Sequence, residues 1–121
     1  MSGIYFHIPF CKQACHYCNF HFSTSLKHKD VVLQAMLREL AYFGRKGWQG
    51  PAETVYFGGG TPSLLTVDEI ARFVEEVARL FGLAAGAEIT LEANPDDLDP
   101  IKIKALKDSP VNRLSVGIQS F

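Results

Sequence analysis

The sequence has no apolar run approaching the roughly 18 residues needed to cross a bilayer. Its opening, Met1 to His7, lacks the charged-then-apolar-then-small plan of a secretory signal. No basic block is present. Lys and Arg number 12 against 13 Asp and Glu, a formal net charge of −1, so there is no electrostatic case for nucleic acid. Internal repeats and low-complexity segments are missing too. Cysteine is scarce, at 3 residues in 121, and an odd count suits a secreted disulfide framework badly. These absences lead us to expect a reducing, cytoplasmic setting, where close cysteines are more often metal-binding or catalytic. The chain itself is 47% hydrophobic and 21% charged. That composition is globular rather than disordered, and the length gives room for one domain.

All three cysteines fall in one stretch, Cys11, Cys15 and Cys18, as C-x-x-x-C-x-x-C just after Pro9. Three thiolates this close can hold one metal centre. A structural zinc site usually wants four protein ligands, and His7, His16 or His21 could supply the fourth. An iron–sulfur cube held by three thiolates keeps one iron open, and an open iron suggests chemistry. The positions are also i, i+4 and i+7 on a helix, where buried thiols would be inert. Against a helix, His16, Tyr17, Asn19, Phe20, His21 and Phe22 are poor helix formers. The aromatic residues Phe10, Tyr17, Phe20 and Phe22 either shield a metal site or pack the loop onto a core.

The rest of the chain alternates strand and helix. Ile4–Ile8 reads as a short buried strand. An amphipathic helix follows over about Ser25–Phe43, with Val32, Leu33, Met36, Leu37, Leu40 and Phe43 as its stripe and Gly44 and Gly47 loosening its end. Thr54–Phe57 is the second strand and runs into Gly58-Gly59-Gly60-Thr61-Pro62-Ser63. Glycine N–H groups in such a loop can meet a carboxylate or phosphate, although a plain turn explains them as well; no Gly-Lys-Ser/Thr makes it a phosphate loop. Thr66-Val67-Asp68-Glu69 reads as a capping box. It opens a helix with Ile70, Phe73, Val74, Val77, Leu80 and Phe81 inward and Gly82 as its stop. Glu88–Ala93 alternates as a third strand with Glu92 near its end. Asp99-Pro100 starts a short helix with Ile103 and Leu106 as apolar contacts. Arg113–Ile118 is the fourth strand. The layout is parallel α/β, with right-handed crossovers expected. The cysteine loop, the glycine loop, Glu92 and Gln119 then all lie at C-terminal strand ends, the active-site rim of a curved parallel sheet.

The words Y-F-H-I-P-F-C, Y-F-G-G-G-T-P-S, L-E-A-N-P and R-L-S-V-G-I-Q-S-F occur in this order. With the cysteine spacing, they make the chain resemble the radical S-adenosylmethionine (radical SAM) superfamily. The group it resembles contains oxygen-independent coproporphyrinogen III oxidase and the haem chaperones of the HemW branch. The resemblance covers essentially the whole chain. It implies that residues 1–121 form the N-terminal part of a radical SAM core, the first four β/α units of a partial (β/α)6 TIM-like barrel. The sheet would be incomplete, with an apolar edge left after the fourth strand, and the chain alone would be marginally stable.

By the same resemblance, Cys11, Cys15 and Cys18 would bind a [4Fe-4S] cluster, and S-adenosylmethionine would complete the open iron. Gly59, Gly60 and Thr61 match the glycine motif that contacts the methionine part. Tyr5 and Tyr17 match positions beside cluster and cofactor, Glu92 an acidic cofactor contact and Gln119 a later one. The implied chemistry is reductive cleavage of S-adenosylmethionine by one electron, with a reduced flavodoxin- or ferredoxin-type donor as partner. The oxidases carry a further cysteine two residues after the third; here that position is Phe20. The departure points to the haem-chaperone branch of haem metabolism rather than to oxidative decarboxylation in porphyrin biosynthesis. Haem and haem-acceptor proteins are the implied partners of the full-length protein. An active oxidase is the alternative, and a structural zinc module the lesser one.

Overall fold

The computed structural model describes residues 3–8, 29–46, 51–59, 62, 65–95 and 98–116, with Arg45 as backbone only. The described elements are β1 (Gly3–Ile8), α1 (Lys29–Arg45), β2 (Ala52–Gly59), α2 (Val67–Leu80), β3 (Leu83–Ala93), α3 (Pro100–Lys107) and β4 (Arg113–Val116). The strands form one sheet in the order β1-β2-β3-β4. Every neighbouring pair is parallel, as the alternating elements require. The fold is therefore the expected α/β layout with an open sheet.

One face of the sheet carries the core. Phe6 and Ile8 of β1, Val55 and Phe57 of β2, and Ile89 and Leu91 of β3 are all buried, and Ile70, Phe73, Val74 and Val77 of α2 close over them. The phenyl rings of Phe6, Phe57 and Phe73 meet with centroids 4.9–6.2 Å apart. Full burial of each such side chain stabilises by about 1.5–3 kcal/mol. The other face carries the alternate residues, Tyr5, His7, Tyr56, Thr90, Glu92 and Ser115.

Local signals explain the helix ends. The Thr66 hydroxyl accepts from the Glu69 N–H at 3.1 Å and the Glu69 carboxylate accepts from the Thr66 N–H at 2.8 Å, closing the capping box. Asp99 caps α3 by accepting from the Lys102 N–H at 2.7 Å, with Pro100 in the first turn. Gly82, at φ +81°, follows the end of α2 and donates back to Ala78 and Val77.

Several expectations are corrected. Phe43 is 52% exposed, because the inward place one turn after Leu40 belongs to Gly44. A Cβ on Gly44 would lie 3.1 Å from Leu80, so this glycine lets α1 approach α2 just before the helix ends at Arg45. Ile103 is likewise exposed. With Leu106 turned inward, the position four residues earlier is Lys102, whose ammonium donates to the Leu65 carbonyl at 2.8 Å. Strand β3 begins at Leu83, well before Glu88. Ala52 pairs with Leu83 but Thr54 with Glu88, so β3 loops out past Gly86 between those pairs. Residues 25–28 and 117–118, the expected helix start and strand end, lie outside the described residues. On β4, Leu114 and Val116 are each 43% exposed, and among the described residues β4 pairs only with β3.

Candidate functional site

Parallel pairing brings the strand ends to one edge. Ile8, the last residue of β1, pairs with Gly59 at the end of β2. Ala93, the last residue of β3, pairs with Val116 at the end of β4. The cysteine segment follows β1 in the chain, Gly60 and Thr61 follow β2, and Gln119 follows β4. Cys11, Cys15, Cys18, Tyr17, Gly60, Thr61 and Gln119 themselves lie outside the described residues. Tyr5, Gly59 and Glu92 are described; Gly59 and Glu92 sit at this edge, and Tyr5 lies in the middle of β1 on the same face as Glu92. Among the described residues, no group of three or more His, Cys, Asp or Glu could hold a metal ion.

The polar face near the edge is a connected row. Tyr5 pairs with Tyr56 across β1 and β2, and the two rings stack at 5.7 Å and 16°. Tyr56 pairs with Thr90 across β2 and β3. Its hydroxyl reaches past Thr90 and donates to Glu92 Oε2 at 2.7 Å, a diagonal reach that long side chains can make. Glu92 in turn pairs with Ser115 of β4. The Tyr56 phenol is pushed above its usual 10. The main cause is its bond to the Glu92 carboxylate, which favours the protonated phenol. A hydrogen bond with Ser115 pulls the other way, while burial and the nearby Glu92 and Tyr5 add to the rise.

The glycines have a physical reason that needs no ligand. A Cβ on Gly58 would fall 2.7 Å from the Tyr5 hydroxyl and 2.8 Å from Tyr56 Cε1. Gly59 has φ +110°, and a Cβ there would fall 2.9 Å from His7 Nδ1 and from the Ile8 carbonyl oxygen. Gly58 therefore gives room to the aromatic row, and Gly59 to the His7 ring and to a backbone conformation that side chains rarely adopt. With carboxylate, phenol and imidazole lined up beside a glycine turn, the edge offers acceptors for an ammonium or sugar hydroxyls and donors for a carboxylate.

Sequence reasoning missed Tyr56, and it named His7 only as a possible fourth ligand of a zinc site. The signal was available, since alternation along Val55-Tyr56-Phe57 puts Tyr56 on the face opposite the core. The donor geometry to Glu92 was not, because it depends on the register of two strands.

Comparison with known proteins fits this geometry. A model described as the radical SAM superfamily matches residues 5–121. The chain is 37% identical to the haem chaperone HemW of Bacillus subtilis, over 100% of this chain and 32% of that protein. It is 39% identical to Escherichia coli HemW, over 98% and 32%. It is 37% identical to mouse mitochondrial radical S-adenosyl methionine domain-containing protein 1, over 99% and 27%. Its fold is similar to the solved structure of E. coli coproporphyrinogen III oxidase (HemN), a radical SAM enzyme. The TM-score is 0.79 and the identity 30%, over 99% of this chain and 28% of that one. The chain thus spans about a third of the length of these HemW relatives.

Proposed function

Because this chain belongs to the radical SAM superfamily, we propose that the C-terminal edge of its sheet binds a [4Fe-4S] cluster and S-adenosylmethionine. Cys11, Cys15 and Cys18 are the cluster ligands in this reading, and the observation that carries it is the meeting of Glu92 with Tyr56 on the edge that β1 shares. The donor set suits the cofactor. Glu92 offers carboxylate oxygens to an ammonium or ribose hydroxyls. Gly59, Gly60 and Thr61 offer N–H and hydroxyl donors to a carboxylate. Tyr5 and Tyr17 flank the site, and Gln119 is a further contact. When bound, the cluster supplies the electron that cleaves S-adenosylmethionine. The protein's share is to bind, to orient and to exclude water.

The function of the whole protein we propose to be haem delivery. Relatives at 37–39% identity are named haem chaperones, and Phe20 stands where the oxidases carry a further cysteine. The fold likeness to HemN favours a second reading, oxidation of coproporphyrinogen III. An electron donor of the flavodoxin or ferredoxin type and a haem-accepting protein are the partners this reading implies. No described helix is long and apolar enough to cross a membrane.

The test is a pair of assays on the anaerobically reconstituted full-length protein. Haem binding and transfer to an acceptor, with no decarboxylation of coproporphyrinogen III, supports the chaperone reading. Decarboxylation with turnover favours the oxidase. Zinc without sulfide in the purified protein defeats both.

A further inference from the structure

We propose that Tyr56 is a positioning residue, which holds the Glu92 carboxylate so that its second oxygen faces the cofactor. The inference rests on the reading above that Glu92 contacts S-adenosylmethionine. The phenol donates one hydrogen bond, to Oε2 at 2.7 Å. A carboxylate has two oxygens, each able to accept. The bond therefore fixes the carboxylate's rotation and leaves Oε1 without a described partner.

The donor is itself held in place. The Tyr56 ring stacks on Tyr5, and Gly58 leaves both rings the space that any Cβ would take. Stacking and close approach set the phenol oxygen before any ligand arrives, which is what a preorganised site needs. A phenol is protonated across the physiological range in any case, and the Glu92 carboxylate shifts it further the same way, so it remains a donor. The pair lies on the face opposite the core, with Glu92 next to the last residue of β3, away from the packed rings of Phe6, Phe57 and Phe73. A bond placed there serves the edge more than the fold.

Tyr56→Phe removes the donor and keeps the ring. The experiment is a double-mutant cycle on the cluster-loaded full-length protein, reading the Kd of S-adenosylmethionine by calorimetry under anaerobic conditions for Y56F, E92Q and the pair. Far-ultraviolet circular dichroism and thermal midpoints check that each variant folds. Loss of one net hydrogen bond predicts a Kd raised by about three- to tenfold in Y56F. E92Q raises it further, and adding Y56F to E92Q changes nothing more. A merely structural Tyr56 weakens binding equally in both backgrounds, and that additivity overturns the proposal. An unchanged Kd in Y56F beside a weakened E92Q also overturns it, while leaving Glu92 as a contact. An unchanged Kd in E92Q removes the reading of Glu92 and the proposal with it.

Discussion

The His7 imidazole lies over Gly59 so closely that a Cβ there would meet Nδ1 and Cε1 at 2.9 Å. The same residue has φ +110° and faces the Ile8 carbonyl. The backbone at the end of β2 therefore depends on the absence of a side chain.

Gly59→Ala should then destabilise by about 1–3 kcal/mol, combining backbone strain with overlap. Gly86→Ala is the control, because Gly86 has φ +74° but nothing within 4 Å of a Cβ. Its cost is the conformational part alone, about 1–2 kcal/mol. Chemical denaturation of both variants checks the order. Gly86→Ala proving the more damaging would show that the packing of His7 on Gly59 is not what constrains the end of β2.

The aromatic core gives a second expectation. Phe73 is 1% exposed and touches both Phe6 and Phe57, so Phe73→Ala should cost about 3–5 kcal/mol. Phe43, though written into the same kind of apolar stripe, is 52% exposed, and Phe43→Ala should stay within about 0.5 kcal/mol. Equal losses in a urea series would mean that α1 presents a different face to the sheet.

The capping box of α2 is reciprocal, and Glu69 also meets the Lys29 ammonium at 3.0 Å. Thr66→Ala removes one arm and should lower stability by about 1 kcal/mol. Thr66→Ser keeps the acceptor and should recover most of that loss. Failure of serine to recover it would argue that the threonine methyl, not the hydroxyl, matters there.

The Tyr56 phenol should titrate above the usual 10, chiefly because it donates to Glu92. A folded-state pKa raised above the unfolded value contributes stability that is full below about pH 10 and is lost as the pH rises through the folded value. The groups facing it are Tyr5, Glu92 and Ser115. Ultraviolet tyrosinate titration should lose a component above the usual 10 in Y56F, and that component should move down in E92Q. A titration unchanged by E92Q would place the cause elsewhere.

Much of the fold was legible because it rests on short-range chemistry. Thr66 with Glu69, Asp99 with Pro100, and Gly82 after Leu80 each mark a helix end through a local hydrogen bond. The alternation of Ile89, Leu91 and Ala93 gave the core face of β3, but Leu83-Ala84-Ala85-Gly86 has too little side-chain contrast to show that the strand starts there. Phe43 and Ile103 were misread for one reason. A stripe tells which residues are apolar, while rotation of the helix is set by contacts from elsewhere, Leu80 against Gly44 in one case and Lys102 to Leu65 in the other. At the candidate site, Tyr5, Gly59 and Glu92 came from motif words, and their common edge follows from parallel pairing. Tyr56 stacks on Tyr5 through the register of β1 with β2 and meets Glu92 through that of β2 with β3, which no single stretch of sequence encodes.

The most direct test of the central claim is electron paramagnetic resonance of the full-length protein, reconstituted anaerobically with iron and sulfide, then reduced. The account predicts a [4Fe-4S] signal that changes on adding S-adenosylmethionine and is lost when Cys15 is replaced by alanine. A folded protein that assembles no cluster, or one whose signal ignores S-adenosylmethionine, would contradict it.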